Sequence, residues 1–159
     1  PKGGFLNIHA DFTVHPHHKN WRRRVNLLVY MNKEYDQEWG GELEIWDRSM
    51  KKCCNKIAPI FNRAALFSTD IDTFHGHPDP YNCPENESRK SIALYYYTEE
   101  SQPIKIQSTE YRAKPNESST KKTLVWVDKM LLRVYDKVKR VTGINDKVVS
   151  KILGWFGKD

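Results

Sequence analysis

Cysteine is scarce in this sequence: three in 159 residues, at Cys53, Cys54 and Cys83. An odd count with two residues adjacent does not build a disulfide framework. Cys53-Cys54 has no second cysteine pair and no histidine at ligand spacing, so it is a poor zinc site. Ordinary thiols in a reducing, cytoplasmic setting are expected. Long apolar runs are also lacking, which leaves neither a signal-peptide core nor a bilayer-spanning helix. Asn86 and Asn116 each open an Asn-Glu-Ser triplet, yet nothing else points to secretion. An excess of one charge is absent from the first 120 residues, which hold 16 basic and 16 acidic side chains. The whole net charge of +6 comes from residues 121–159, with 10 basic and 4 acidic. Arg22-Arg23-Arg24 is the one basic cluster before that. Neighbouring residues of a strand alternate faces, so no phosphate-binding stripe and no nucleic-acid partner are expected.

A helical period is missing between Gly4 and Thr98. Short β-rich stretches stand there instead, punctuated by Gly and Pro, which predicts a sandwich or jelly roll. Strands are expected over Phe5–Phe12, Arg22–Asn32, Glu42–Trp46, Ile57–Ile60, Asn62–Ser68, Thr73–Pro78 and Arg89–Thr98, with a loop over Arg48–Lys56. Along Arg22–Asn32, Val25, Leu27, Val29 and Met31 share one face. Asn26, Leu28 and Tyr30 share the other, a polar-dotted apolar face of the kind that lines a ligand cavity. Tyr30 also fits as a core tyrosine with its hydroxyl at the rim.

The chain is long enough for one cored domain with an appendage. Residues 1–100 read as the β core and 101–120 as a linker or edge segment, with a weak strand near Ile104–Ile106. Residues 121–159 read as a basic, amphipathic helical tail. Leu124, Val127, Leu131, Val134, Val138 and Val141 fall at gaps of three and four, and Gly143 ends the run. Val148, Ile152, Trp155 and Phe156 continue it. Such helices cover a face of the core, pair with a second copy as a homodimer, or meet an acidic partner or membrane surface.

The chemistry starts at His9-Ala10-Asp11. On an extended chain, side chains two apart point the same way, so His9 and Asp11 can reach one point in space. An imidazole and a carboxylate so placed make two corners of a 2-His-1-carboxylate triad for non-haem Fe(II). His15-Pro-His-His18 is a solvated loop at the mouth of such a site, facing substrate rather than a further metal. His75 is the candidate third ligand, and Arg89 opens the last strong strand.

His9-x-Asp11, Tyr30-Met-Asn-Lys, Gly40-Gly41-Glu-Leu, Phe61-Asn-Arg, His75-Gly-His-Pro and Arg89-Lys-Ser-Ile-Ala-Leu-Tyr-Tyr follow one another in this order. In that pattern the chain resembles the 2-oxoglutarate and Fe(II)-dependent oxygenases, prolyl-hydroxylase-like branch, from about Gly4 to Thr98. The resemblance implies a mainly β double-stranded β-helix (jelly roll), here followed by C-terminal α-helices. It implies Fe(II) held by His9, Asp11 and His75, with His77 the rival for the third place. It also implies 2-oxoglutarate as cosubstrate, its distal carboxylate paired with Arg89 and hydrogen-bonded by Tyr30, with Lys90 the rival of Arg89. Dioxygen is the second cosubstrate and ascorbate an accessory reductant. The implied activity is hydroxylation of an unactivated C–H bond, foremost of a prolyl or other amino-acid side chain in a peptide. The alternatives are a small-molecule or sugar-linked substrate, or a non-catalytic metal-binding interaction module. Relatives that halogenate leave the carboxylate position to chloride, so Asp11 argues for hydroxylation. Only eight residues precede His9, where the family has a further strand and helices, so the N-terminal part of the fold is expected to be missing.

Overall fold

The computed structural model describes residues 1–104, 109–120, 122–127, 130, 131 and 134. Among them, the strands are β1 (Leu6–Ala10), β2 (Trp21–Tyr30), β3 (Leu43–Trp46), β4 (Cys53–Ile57), β5 (Ala64–Ser68), β6 (His75–His77), β7 (Ser91–Glu99) and β8 (Glu110–Tyr111). They form two antiparallel sheets, ordered β4-β3-β6-β1-β8 and β5-β2-β7. This arrangement is consistent with the double-stranded β-helix that the sequence led us to expect.

Period-2 alternation decides which residues meet between the sheets. Asn26, Leu28 and Tyr30 of β2 stand opposite Tyr95, Ala93 and Ser91 of β7. On its other side, β2 sets Asn26 against Phe67 and Leu28 against Ala65 of β5. Tyr30, Ala65 and Leu43 of β3 form the buried centre, packed by Leu28, Ile45, Ile57 and Phe67. A second cluster, Ile8, Ala10, Met50 and Phe74 with Trp46 against it, sits on the other side of the five-stranded sheet. Residues between 110 and 114 are tied to this sheet. β8 pairs with β1, and Lys114 reaches Asp79 at 3.1 Å and the buried Glu44 at 3.4 Å.

The opposite face of β5-β2-β7 has no such cover among the described residues. Leu66, Ile92, Leu94 and Tyr96 all point there and are 69, 50, 44 and 51% exposed. β7 is also an edge strand, paired on one side with β2 alone.

Gly76 lets β6 lie close against β1. A Cβ there would stand 2.8 Å from the Leu6 carbonyl oxygen and 2.9 Å from that of Asn7. Both are backbone atoms of a paired strand, so the strands would have to part. Gly76→Ala is expected to destabilise the fold by about 1–3 kcal/mol, the usual cost of overpacking, measured by chemical denaturation. Because Gly76 follows His75, the same variant should also bind divalent metal more weakly.

Several expectations need correcting. The stretch read as a loop over Arg48–Lys56 ends in strand β4, and Ile57–Ile60 is not a strand beyond Ile57. Cys53–Ile57 is an edge strand with three exposed central residues, so it carries no apolar alternation to detect. Of the weak strand expected near Ile104–Ile106, Ile104 is not in a strand and residues 105 and 106 lie outside the described residues, whereas Glu110–Tyr111 is a strand. In the tail, residues 119, 120, 122–127, 130, 131 and 134 are helical. The described members of the proposed seam, Leu124, Val127, Leu131 and Val134, are exposed and Val125 is buried, while Val138 and Val141 lie outside the described residues. The second helix, expected over Ile144–Phe156, lies outside the described residues.

Candidate active site

His9 and His75 are brought together by strand pairing. They stand directly opposite each other in the β1–β6 register, with ring centroids 4.6 Å apart. Asp11 follows two residues after His9 and turns to the same side. One ligand atom from each of the three lies within 4.8 Å of the others, and no other such group of His, Cys, Asp or Glu occurs among the described residues. All three side chains are nearly buried. The ring orientations suit metal binding. His9 Nδ1 lies 2.8 Å from the Asn7 carbonyl and His75 Nδ1 3.2 Å from that of Thr73. A proton on each Nδ1 donates to that carbonyl and leaves the Nε2 lone pair facing the centre. His77 is not in the cluster, so it loses its rivalry with His75 on geometry.

Burial pushes the Asp11 carboxyl up, but the contacts with the His75 and His9 rings and the charge of Arg23 hold it well below the usual range. Its two oxygens are treated differently. Oδ2 accepts from Asn26 Nδ2 at 2.7 Å and is ion-paired with Arg23 at 3.1 Å. Arg23 also donates through Nε to Asn26 Oδ1 at 2.8 Å. The guanidinium is 2% exposed and lies between two rings, 4.7 Å from the Phe12 centroid and 3.8 Å from that of Tyr95. Sequence reasoning placed Asn26 on the polar-dotted cavity face without a partner, and did not single out Arg23. Arg23 hid in a run that reads as surface, and its neighbours do lie outward, with Arg22 pairing to Asp70 and Arg24 to Glu100.

Arg89 and Tyr30 are also brought together, further along the interior. Arg89 precedes β7 and donates through Nε to the Gly41 carbonyl at 2.8 Å, which fixes the guanidinium with its carbon 5.2 Å from the Tyr30 ring centroid. Gly41 has φ of +73°, the left-handed region open to glycine, and a Cβ there would meet the Tyr81 ring at 2.6 Å. Lys90 points the other way and pairs with Glu87 at 3.2 Å.

Five buried polar atoms here have no hydrogen-bond partner: Tyr30 Oη, Arg89 NH2, Tyr35 Oη, Tyr81 Oη and His77 Nδ1. Tyr30 and Arg89 influence each other electrostatically but are not in hydrogen-bonding geometry. Burial raises the Tyr30 phenol and pushes that of Tyr81 up to about 12, so both keep their protons and remain donors. Burial pulls Arg89 down from its ordinary value, but a guanidinium stays charged at any physiological pH. A fixed cation among buried, unpaired donors is costly unless an anion completes it. A carboxylate suits this set, because its oxygens accept several hydrogen bonds and match the guanidinium fork. A cavity of about 230 Å³ lined by Gly4, Phe5, His77, Tyr81 and Arg89 opens beside it. Tyr35 and Tyr81 escaped sequence reading because they lie on loops, and only the fold sets them near Arg89.

The His77 imidazole is pushed down to about 4, by burial first and then by the charges of Arg89 and His9. The folded protein therefore holds His77 neutral, while an unfolded chain takes up a proton below about pH 6.5. Stability is thus expected to fall as pH drops from about 6.5 towards 4. Thermal unfolding of wild type and His77→Gln at pH 7, 6, 5 and 4 checks this: the variant should show a shallower decline across that window.

At the outer end, His15, His18, Trp21 and Tyr97 form an aromatic rim. His18 stacks on Trp21 with centroids 4.0 Å apart, and His15 sits 5.0 Å from Tyr97. Tyr97 is the cross-strand partner of Arg23, one step from Asp11.

The profile of the 2OG-Fe(II) oxygenase superfamily matches residues 1–97. The chain belongs to that superfamily. No curated protein matches the sequence.

Proposed function

We propose that the protein is a 2-oxoglutarate-dependent dioxygenase of the prolyl-hydroxylase-like branch, acting on a prolyl or other amino-acid side chain in a peptide. His9, Asp11 and His75 hold Fe(II), and Arg89 with Tyr30 binds the distal carboxylate of 2-oxoglutarate. The observation that carries this reading is the conjunction of two incomplete sites along one interior: three converging metal-type ligands, and an unpaired cation with unpaired phenols behind them.

Bound at the triad, ferrous iron supplies activation of dioxygen, coupled to decarboxylation of the keto acid and hydroxylation of the substrate. The chain's own residues do the rest. The Nδ1 contacts of His9 and His75 fix each ring, so their Nε2 atoms need no reorganisation to receive the metal. Two imidazoles and one carboxylate leave coordination positions open on the metal. Arg89 and Tyr30 orient the keto acid by its far end, and Tyr35, Tyr81 and His77 stand near the same charge. Tyr30, Leu28 and Phe67 wall the interior with apolar surface and exclude water.

The peptide assignment draws support from the rim. Trp21, Tyr97 and the two histidines offer aromatic surface on which a pyrrolidine ring packs, next in sequence to Arg22 and Arg24, which are ion-paired with Asp70 and Glu100. Succinate release measured with iron and 2-oxoglutarate over a panel of proline-containing peptides and free metabolites tests it. Peptide-dependent succinate with a mass gain of one oxygen on the peptide is expected. Turnover with free metabolites alone rejects the peptide assignment and keeps the oxygenase.

A further inference from the structure

Asp11 is gripped by one of its two oxygens only. Asn26 donates to Oδ2 at 2.7 Å, the Arg23 guanidinium is ion-paired with the same oxygen at 3.1 Å, and the two side chains are tied to each other at 2.8 Å. Towards the cluster, Oδ1 stands 3.4 Å from His9 Nε2 and Oδ2 3.4 Å from His75 Nε2. A carboxylate that is free to rock can bind a metal through one oxygen or both. Two-oxygen binding would occupy a coordination position that a chelating keto acid requires. We propose that Arg23 is a positioning residue that, through Asn26 and Asp11 Oδ2, holds Asp11 as a one-oxygen metal ligand and so keeps room for the keto acid. This rests on the oxygenase reading given above.

Three features make Arg23 suited to this. The grip is directional: a planar guanidinium offers several donors at fixed angles, so it can hold Asn26 and Asp11 together. It is packed, because the aromatic rings of Phe12 and Tyr95 lie with their centroids 4.7 and 3.8 Å from it. It is also shut away from solvent, so no water competes for the carboxylate oxygen. Lysine cannot copy the arrangement, since an ammonium is a point charge without a planar face. A bare counter-charge for Asp11 would need none of this geometry.

The test uses the full chain as wild type, Arg23→Lys and Arg23→Gln, with Asn26→Leu as an independent way to release Oδ2. Folding is first compared by circular dichroism and thermal unfolding. Binding of Co(II) is then measured by calorimetry. Binding of 2-oxoglutarate to the Fe(II)-loaded protein without oxygen is followed by the visible absorption of an iron-chelated keto acid. Metal binding should change less than about tenfold, while half-development of the chelate band should need at least about tenfold more 2-oxoglutarate, the lower end of what losing an outer-shell partner costs. Arg23→Lys should not rescue it, and Asn26→Leu should shift in the same direction. If Arg23→Gln does not fold, Asn26→Leu decides alone. An unchanged 2-oxoglutarate requirement in a folded variant overturns the proposal, and so does a loss of metal binding equal to or larger than the loss of keto-acid binding. Wild type that binds no metal, or shows no chelate band, rejects the oxygenase reading itself and is thereby told apart.

Discussion

Asp11→Ala should leave no iron-dependent succinate formation above background. Asp11 is the one anion among the three candidate ligands, so its loss leaves a divalent cation facing two neutral imidazoles. Outer-shell partners of metal ligands are worth about 10–100-fold in affinity, and a direct ligand should exceed that. The same change strips Arg23 of its counter-charge in a nearly sealed interior. Removing one member of a buried ion pair typically costs about 3–5 kcal/mol, so lost turnover in this variant mixes chemistry with folding. His9→Ala separates the two. It removes a ligand but leaves the Asp11–Arg23 ion pair in place, and among the described residues the hydrogen bond it loses outside the cluster is that to the Asn7 carbonyl. We expect His9→Ala to fold, to bind Co(II) more than about 100-fold more weakly by calorimetry, and to form no succinate. Full turnover in folded His9→Ala would remove the triad from the mechanism.

Arg89→Ala acts at the other end of the interior and should have a different signature. Its guanidinium is held at Nε by Gly41 and keeps NH2 unpaired. A hydrogen bond to a charged group contributes about 1.5–3 kcal/mol, or roughly 10–150-fold in affinity. The expected result is an apparent KM for 2-oxoglutarate raised by about that factor, with Co(II) affinity unchanged. Tyr30→Phe should move the same constant by less, because it removes one neutral donor and leaves the cation. A KM unaffected in Arg89→Ala would sink the cosubstrate assignment while leaving the metal ligands standing.

Much of this site could be read from the chain because two of its constraints are local. His9 lies in β1 and Asp11 just past its end, two residues on, and Arg89 and Lys90 are adjacent residues just before β7 that turn apart. The strand calling for polar groups on one face, Asn26 to Tyr30, was also legible. What could not be read depends on register. Arg23 meets Asp11 only because β2 changes its alternation at a bulge between Arg23 and Val25. Tyr35 and Tyr81 reach the Arg89 neighbourhood from loops 46 residues apart in sequence. β4 was missed for the opposite reason: an edge strand with polar residues on both faces has no pattern to show. The tail misled because gaps of three and four establish that a helix has a stripe, not which way the stripe turns. Among the described residues of the tail, Val125, outside that stripe, is buried.

The greasy face of β5-β2-β7 has a practical bearing on every comparison above. Leu66, Ile92, Leu94 and Tyr96 lie together where a fluorescent reporter of apolar surface can settle on the intact protein. Melting curves followed with such a dye should begin bright and rise little on heating. Intrinsic tryptophan emission or circular dichroism will rank these variants more faithfully.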